Sequence, residues 1–194
     1  MESLTVNRSL RPVSRDAYLQ KLVLINNAGI ATIDRRAYTQ THESLSALRE
    51  HYNVVLNTNL TSVAVVTTAF LPLLHVSNSP KVINITSGLA SMTVQLKGVP
   101  FRAAVYGSSK VGMNGVTVHM QVAERDLPED VPRIKYYTVQ PGLLKTAFTG
   151  FREGTRDPRE GAEVITRLVM DKEGKYEGGM YWQFEKGEML EVPW

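Results

Sequence analysis

Cysteine is absent from this 194-residue sequence, which excludes a disulfide framework, a thiolate metal site and a cysteine nucleophile. Metal binding has no other support, because His42, His51, His75 and His119 are scattered, without ligand spacing or clustered carboxylates. Charge of one sign is lacking too. With 22 basic and 19 acidic residues the net charge is +3, too weak by itself to indicate a nucleic-acid partner. Met1–Leu10 lacks the apolar core of a secretory signal. The most apolar stretch, Ser62–Leu74, is broken by Thr67, Thr68 and Pro72 and falls short of a membrane span. Ser87 does not sit in a Gly-x-Ser-x-Gly elbow, so the usual hydrolase reading fails. What is left is an ordinary globular composition, 43% hydrophobic and 21% charged, in a chain long enough to bury a core. The expectation is a single domain over residues 1–194, soluble and cytoplasmic, with no nucleic-acid and no membrane partner.

Short apolar runs alternate with helical stretches. Leu22-Val23-Leu24-Ile25 reads as a buried strand meeting a turn at Asn26-Asn27-Ala28-Gly29. Apolar spacing from about His42 to His75 predicts a helix that Pro72 ends or kinks near its C-terminus. Val82–Ile85 reads as a second strand, followed by a loop from Gly88 to Arg102 and a helix from about Ala104 to Arg125. Ile134–Val139 reads as a third strand, stopped by Pro141-Gly142. An irregular charged stretch, Leu143–Asp157, leads to a helix over Pro158–Met170, with Pro158 suited to its first turn. Met180–Phe184 is the last strand. This alternation predicts an α/β domain with a mostly parallel sheet.

In such sheets ligands bind outside the carboxyl ends of the strands. Three strand ends stand out: Asn26-Asn27-Ala28-Gly29, Thr86-Ser87-Gly88, and Gln140-Pro141-Gly142-Leu143-Leu144-Lys145-Thr146. Each alone reads equally well as an ordinary turn. Tyr106-Gly107-Ser108-Ser109-Lys110 adds a phenol and an ammonium on one helix face, about one turn apart. At an effective dielectric of about 20 and a separation of about 5 Å, their attraction is roughly 3 kcal/mol, enough to lower the phenol by about two pKa units. Eight tyrosines and nine lysines give about 0.4 such pairs by chance, so the spacing alone is weak. Ser87 strengthens it, since a hydroxyl at the end of the preceding strand can donate to the oxygen that Tyr106 would protonate. Asn59 sits inside the long helix, where Asn is a mediocre helix former. Its amide either faces this site, beside the Lys110 ammonium, or simply faces solvent.

Together Asn26-Asn27-Ala28-Gly29, Asn59, Ser87, Tyr106-x-x-x-Lys110 and Pro141-Gly142-x-x-x-Thr146 resemble a short-chain dehydrogenase/reductase. The run from Asp157-Pro158-Arg159 through Glu177-Gly178-Gly179 to Trp194 is most similar to the monomeric carbonyl-reductase-like members. The match covers roughly residues 20–194, with an insertion around Met92 to Phe101. The resemblance implies a truncated Rossmann-type, mostly parallel sheet flanked by helices. It implies reduction of a carbonyl substrate, a ketone or aldehyde, with NADP as cofactor and NAD as the alternative. Tyr106 would be the general acid, Lys110 would lower its pKa and bind the nicotinamide ribose, Ser87 would orient the carbonyl, and Asn59 would support a proton-relay water. Asn26, Ala28 and Gly29 would line the adenosine side of the cofactor groove. Pro141, Gly142, Leu144 and Thr146 would border the nicotinamide end, with residues 147–157, including Phe148 and Phe151, as a substrate lid.

The sequence departs from the family pattern at its start. No Gly-x-x-x-Gly-x-Gly can be placed upstream of Gly29, and residues 1–20 align with nothing in the family. Losing several pyrophosphate hydrogen bonds of about 1.5–3 kcal/mol each, against about 8 kcal/mol for micromolar affinity, predicts millimolar or weaker cofactor binding unless another chain or residues 1–20 substitute. Strand 22–26 would lie open on one side, to homo- or hetero-association or to cover by Ser3-Leu4-Thr5-Val6. The favoured expectation is a shortened form of a longer reading frame. Two other readings stay open: a catalytically silent remnant acting as an interaction partner, and a non-redox cyclase or isomerase using the Tyr106–Lys110 pair. Arg35-Arg36 and Arg152, Arg156 and Arg159 read as solvated faces, and Trp182, Phe184 and Trp194 as core or tail anchors.

Overall fold

The computed structural model describes residues 22–31, 45–98 and 103–194. The expectations placed on Ser3–Val6, Arg35-Arg36 and His42 lie outside these residues.

Among the described residues, five strands form one sheet in the order β1-β2-β3-β4-β5: Val23–Asn26, Lys81–Ile85, Lys135–Gln140, Tyr181–Glu185 and Glu188–Glu191. The first four run parallel and β5 returns antiparallel to β4. This is the expected Rossmann-type arrangement. The final hairpin is additional to the sequence reading. Lys186 and Gly187 both take positive φ, 51° and 88°, the requirement of a tight two-residue turn whose twist matches the flanking strands.

Side chains alternate between two sheet faces. On one, Ile83, Ile85, Tyr137, Val139 and Trp182 pack with Val164 and Leu168 of α5 (Pro158–Met170). Pro158 occupies the first turn of α5, and the Asp157 carboxylate caps it through the Arg159 N–H. On the other face, Val82, Ile134 and Tyr136 pack with Leu74, Leu71 and Met120. Those partners come from α2 (Ser62–Leu74) and α4 (Ala104–Ala123), while α1 (Leu45–Leu56) precedes α2. A row of polar side chains crosses this second face. Asn26, Asn84, Thr138 and Tyr181 stand in register on four neighbouring strands. Asn26 Nδ2 donates to Asn84 Oδ1 at 2.7 Å and to Thr67 Oγ1 at 3.0 Å, and Asn84 Nδ2 donates to Thr117 Oγ1 at 2.8 Å. Pairing of this kind offsets the cost of burying amides.

The run Leu45–Leu74 is long and apolar enough to cross a membrane by length and composition. In the fold it lies against α4 and the sheet, with Asn59 and Thr67 fully buried. Pro72 sits in its last turn, and helix ends at Leu74. The expected loop after Gly88 is partly ordered into a 3₁₀ turn, Gly88–Ala90, and a short helix, α3 (Met92–Leu96), capped by the Ser91 hydroxyl. Serine at an N-cap satisfies helix N–H groups that would otherwise be orphaned, and five helical residues are too few to show a period in the sequence. Among the described residues β1 is an edge strand, and Ile25 on it is 42% exposed.

Candidate active site

β2 delivers Ser87 just past its carboxyl end. The Ser87 hydroxyl accepts the Leu89 N–H at 3.3 Å, opening the 3₁₀ turn, and lies near enough to the Tyr106 phenol to favour its ionised form. Tyr106 and Lys110 occupy the first two turns of α4, on one face as their spacing requires. Lys110 is only 4% exposed. Its Nζ donates to the Ile85 carbonyl at 2.8 Å and lies 5.7 Å from the Tyr106 ring centroid. Serine, phenol and ammonium therefore gather at one strand end, although Lys110 is tied to backbone and not to the phenol oxygen.

The electrostatics differ from the sequence expectation. Burial raises the Tyr106 phenol above its ordinary value, and the neighbouring Ser87 hydroxyl only partly offsets that. Burial also pushes the Lys110 ammonium down, to about 8. The two-unit drop expected from spacing does not occur, because desolvation disfavours both charged forms.

Asn59 lies in a widened π-type turn, Asn57–Thr61, where the Ser62 N–H bonds the Asn57 carbonyl. Such turns inside helices rotate one residue out of the normal register. Asn59 is fully buried. Its Oδ1 accepts the Ile30 N–H at 2.8 Å, and its Nδ2 donates to the Ile30 carbonyl at 2.8 Å and to Ser109 Oγ at 3.0 Å. Both amide donors are committed, so only an Oδ1 lone pair remains for anything beside Lys110. The solvent-facing alternative is overturned.

The stretch after β3 folds back towards the phenol. Leu144 bridges to Arg156, Thr146 caps a 3₁₀ turn at Ala147–Thr149, and the Phe148 ring lies 5.9 Å from that of Tyr106. Arg156 is not a free solvated charge, since it pairs with Glu160 and donates to the Phe184 carbonyl. Of the remaining expected residues, Ala28 and Gly142 are exposed and Pro141 is half-buried. Leu144 turns its methyls onto Gly161, where a Cβ would come within 2.6 Å. Asn26 turns into the protein, onto Asn84 and Thr67.

A family model described as short chain dehydrogenase matches residues 15–157. The chain belongs to the short-chain dehydrogenase family. A short-chain dehydrogenase/reductase of Aspergillus fumigatus is 48% identical over 179 residues, covering 89% of this chain and 66% of that protein. The short-chain dehydrogenase anuI of Penicillium roqueforti is 32% identical over 158 residues, covering 77% of this chain and 57% of that one. The chain thus spans less than two thirds of the length of these relatives. The fold matches that of NADPH-bound carbonyl reductase from chicken fatty liver, with a TM-score of 0.71 at 23% identity over 90% of this chain and 67% of that one.

A nicotinamide cofactor is what the short-chain dehydrogenase family implies, and the residues here can be tested against it. A Cβ at Gly29 would sit 3.2 Å from Asn59 Oδ1 and 3.5 Å from Lys110 Nζ. The missing side chain therefore leaves a notch bordered by an amide and an ammonium that retains two donors. With the phenol one turn away, that donor set fits a ribose and a carboxamide. The pyrophosphate half needs backbone N–H groups from a glycine-rich turn, and none lies among the described residues. Sequence reasoning missed Asn84 and Tyr181. An amide inside the apolar run Val82–Ile85 was the available signal for the first; the second lies 94 residues from its partner, Ser87.

Proposed function

We propose that Ser87, Tyr106 and Lys110 carry the proton-transfer half of a carbonyl reduction, ketone or aldehyde to alcohol, linked to NADP or alternatively NAD. The placing of the Ser87 hydroxyl beside the Tyr106 phenol, with the buried Lys110 ammonium 5.7 Å from the Tyr106 ring, carries this reading. With its lone pair facing Leu89 N–H, Ser87 has one proton left to donate, and a carbonyl oxygen inserted between the two groups would accept from both. Tyr106 holds its proton at neutral pH, as a general acid must before the reaction. Lys110, cationic below about 8, favours the phenolate left behind. A nicotinamide, when bound, supplies the hydride. Lys110 and Tyr106 would hold its ribose, Gly29 and Ala28 the adenosine side, and Pro141, Gly142 and Thr146 the nicotinamide end, with Phe148 closing over the phenol. The carbonyl reductase likeness supports this reading through the fold alone.

Titrating the chain with NADPH by protein fluorescence, then assaying ketone and aldehyde reduction, tests it. Saturable binding with turnover lost in Tyr106→Phe is the expected result. Turnover of a carbonyl compound without NADPH binding would point instead to a cyclase or isomerase. A folded chain with neither property would be the silent interaction partner. The position of β1 at the sheet edge among the described residues supports association with a second copy or a related chain.

A further inference from the structure

We propose that Tyr181 is a positioning residue for Ser87, fixing the serine backbone so that its hydroxyl meets Tyr106, and that the C-terminal residues hold Tyr181 in place. The inference rests on the reading of Ser87 and Tyr106 as the proton-transfer pair.

Tyr181 opens β4 and is 1% exposed. Its side chain reaches over β3 to the end of β2, where its hydroxyl donates to the Ser87 carbonyl at 2.5 Å. The same carbonyl accepts the Ala90 N–H at 2.8 Å. Two donors on one carbonyl fix the orientation of the Ser87–Gly88 peptide. The Ser87 hydroxyl is then set by that backbone and by the Leu89 N–H. A phenylalanine at 181 would fill the same space without holding the peptide.

The other side of Tyr181 is covered by Trp194, whose ring stacks on it with centroids 5.7 Å apart at 27°. Trp194 is itself anchored to the segment that follows Ser87. Its carbonyl accepts the Thr93 N–H at 2.9 Å and the Thr93 hydroxyl at 2.5 Å, and the Pro193 carbonyl accepts the Ser91 hydroxyl at 2.5 Å. Residues 193–194 therefore strap α3 to β4 on either side of the serine turn. The ionisable group that acts on Tyr181 is Tyr106, on α4. Burial, and then the nearby Tyr106, keep the Tyr181 phenol protonated above its ordinary range, so it stays a donor wherever Tyr106 works.

The test follows the Tyr106 ring by NMR of the full chain carrying ¹³Cζ-tyrosine, with the signal assigned through Tyr106→Phe. Ser87→Ala removes the hydroxyl that favours the phenolate and should raise the Tyr106 midpoint by about half a unit or more, roughly threefold in its ionisation constant. Tyr181→Phe should raise it in the same direction, and the double variant should add nothing. A Tyr181→Phe midpoint equal to wild type, with Ser87→Ala shifted, would overturn the positioning role while leaving the Ser87–Tyr106 pair intact. No shift in either variant would overturn the pair as well. If Tyr181→Phe fails to fold, Trp194→Ala decides: an upward shift supports the proposal and an unmoved midpoint overturns it.

Discussion

Asn59 and Ile30 exchange two hydrogen bonds of 2.8 Å, side-chain amide against main-chain N–H and C=O. A helix side chain thus pairs with the segment leaving β1 as a strand backbone would. The third bond, to Ser109 on α4, locks that segment to the helix carrying Tyr106 and Lys110. Asn59 is in this sense the clamp between the first strand end and the candidate site.

Replacing it with alanine leaves the half-buried Ile30 N–H and C=O without their partner and takes one donor from the buried Ser109 hydroxyl, which keeps its bond to the Tyr106 carbonyl. Asn59→Ala should cost about 2–4 kcal/mol of stability, measured by thermal or urea unfolding. A loss below about 0.5 kcal/mol would show that water replaces the amide at no cost.

Lys110 should weigh against stability at neutral pH. Its ammonium falls from an ordinary 10.5 to about 8 on folding, so between those values the unfolded chain binds more protons and stability rises with pH. Below 8 the penalty is present in full. Lys110→Met should therefore stabilise the fold at pH 7 by up to about 3 kcal/mol, less the lost bond to Ile85, and the gain should shrink towards pH 10.5. A variant less stable than wild type at pH 7 would contradict this.

Much of the fold was legible because its signals are local. The apolar runs before Asn26 and Thr86, Pro158 at a helix start, and the four-residue step from Tyr106 to Lys110 each depend only on near neighbours. The missed hairpin turns at Lys186-Gly187, which lacks the Asn-Gly signature. The Tyr181–Ser87 contact joins residues that only the completed sheet brings together. The pKa of Tyr106 was misjudged because desolvation is a property of the packed site and not of residue spacing.

The Lys110 titration also shapes the activity profile. With the cofactor saturating, carbonyl reduction should be steady at neutral pH and decline as pH rises through about 8, because a neutral amine no longer favours the phenolate formed on proton donation. Steady-state rates from pH 6 to 10 check this. A rate that climbs across that range would mean that Tyr106 acts only after losing its proton.

Association through β1 is open to a direct check. Sedimentation velocity over a range of concentrations should show self-association of the wild-type chain, and Ile25→Lys should shift it towards monomer, since a charge on an open edge opposes pairing. A wild-type chain monomeric at every concentration and on mixing with a related full-length dehydrogenase would contradict edge pairing.

Single-turnover reduction of an aldehyde by the NADPH-loaded chain, wild type against Tyr106→Phe, tests proton donation by Tyr106 most directly. The variant should keep its fold and NADPH binding yet lose about 10²–10⁴-fold in rate. A Tyr106→Phe chain that reduces the aldehyde at the wild-type rate would contradict it.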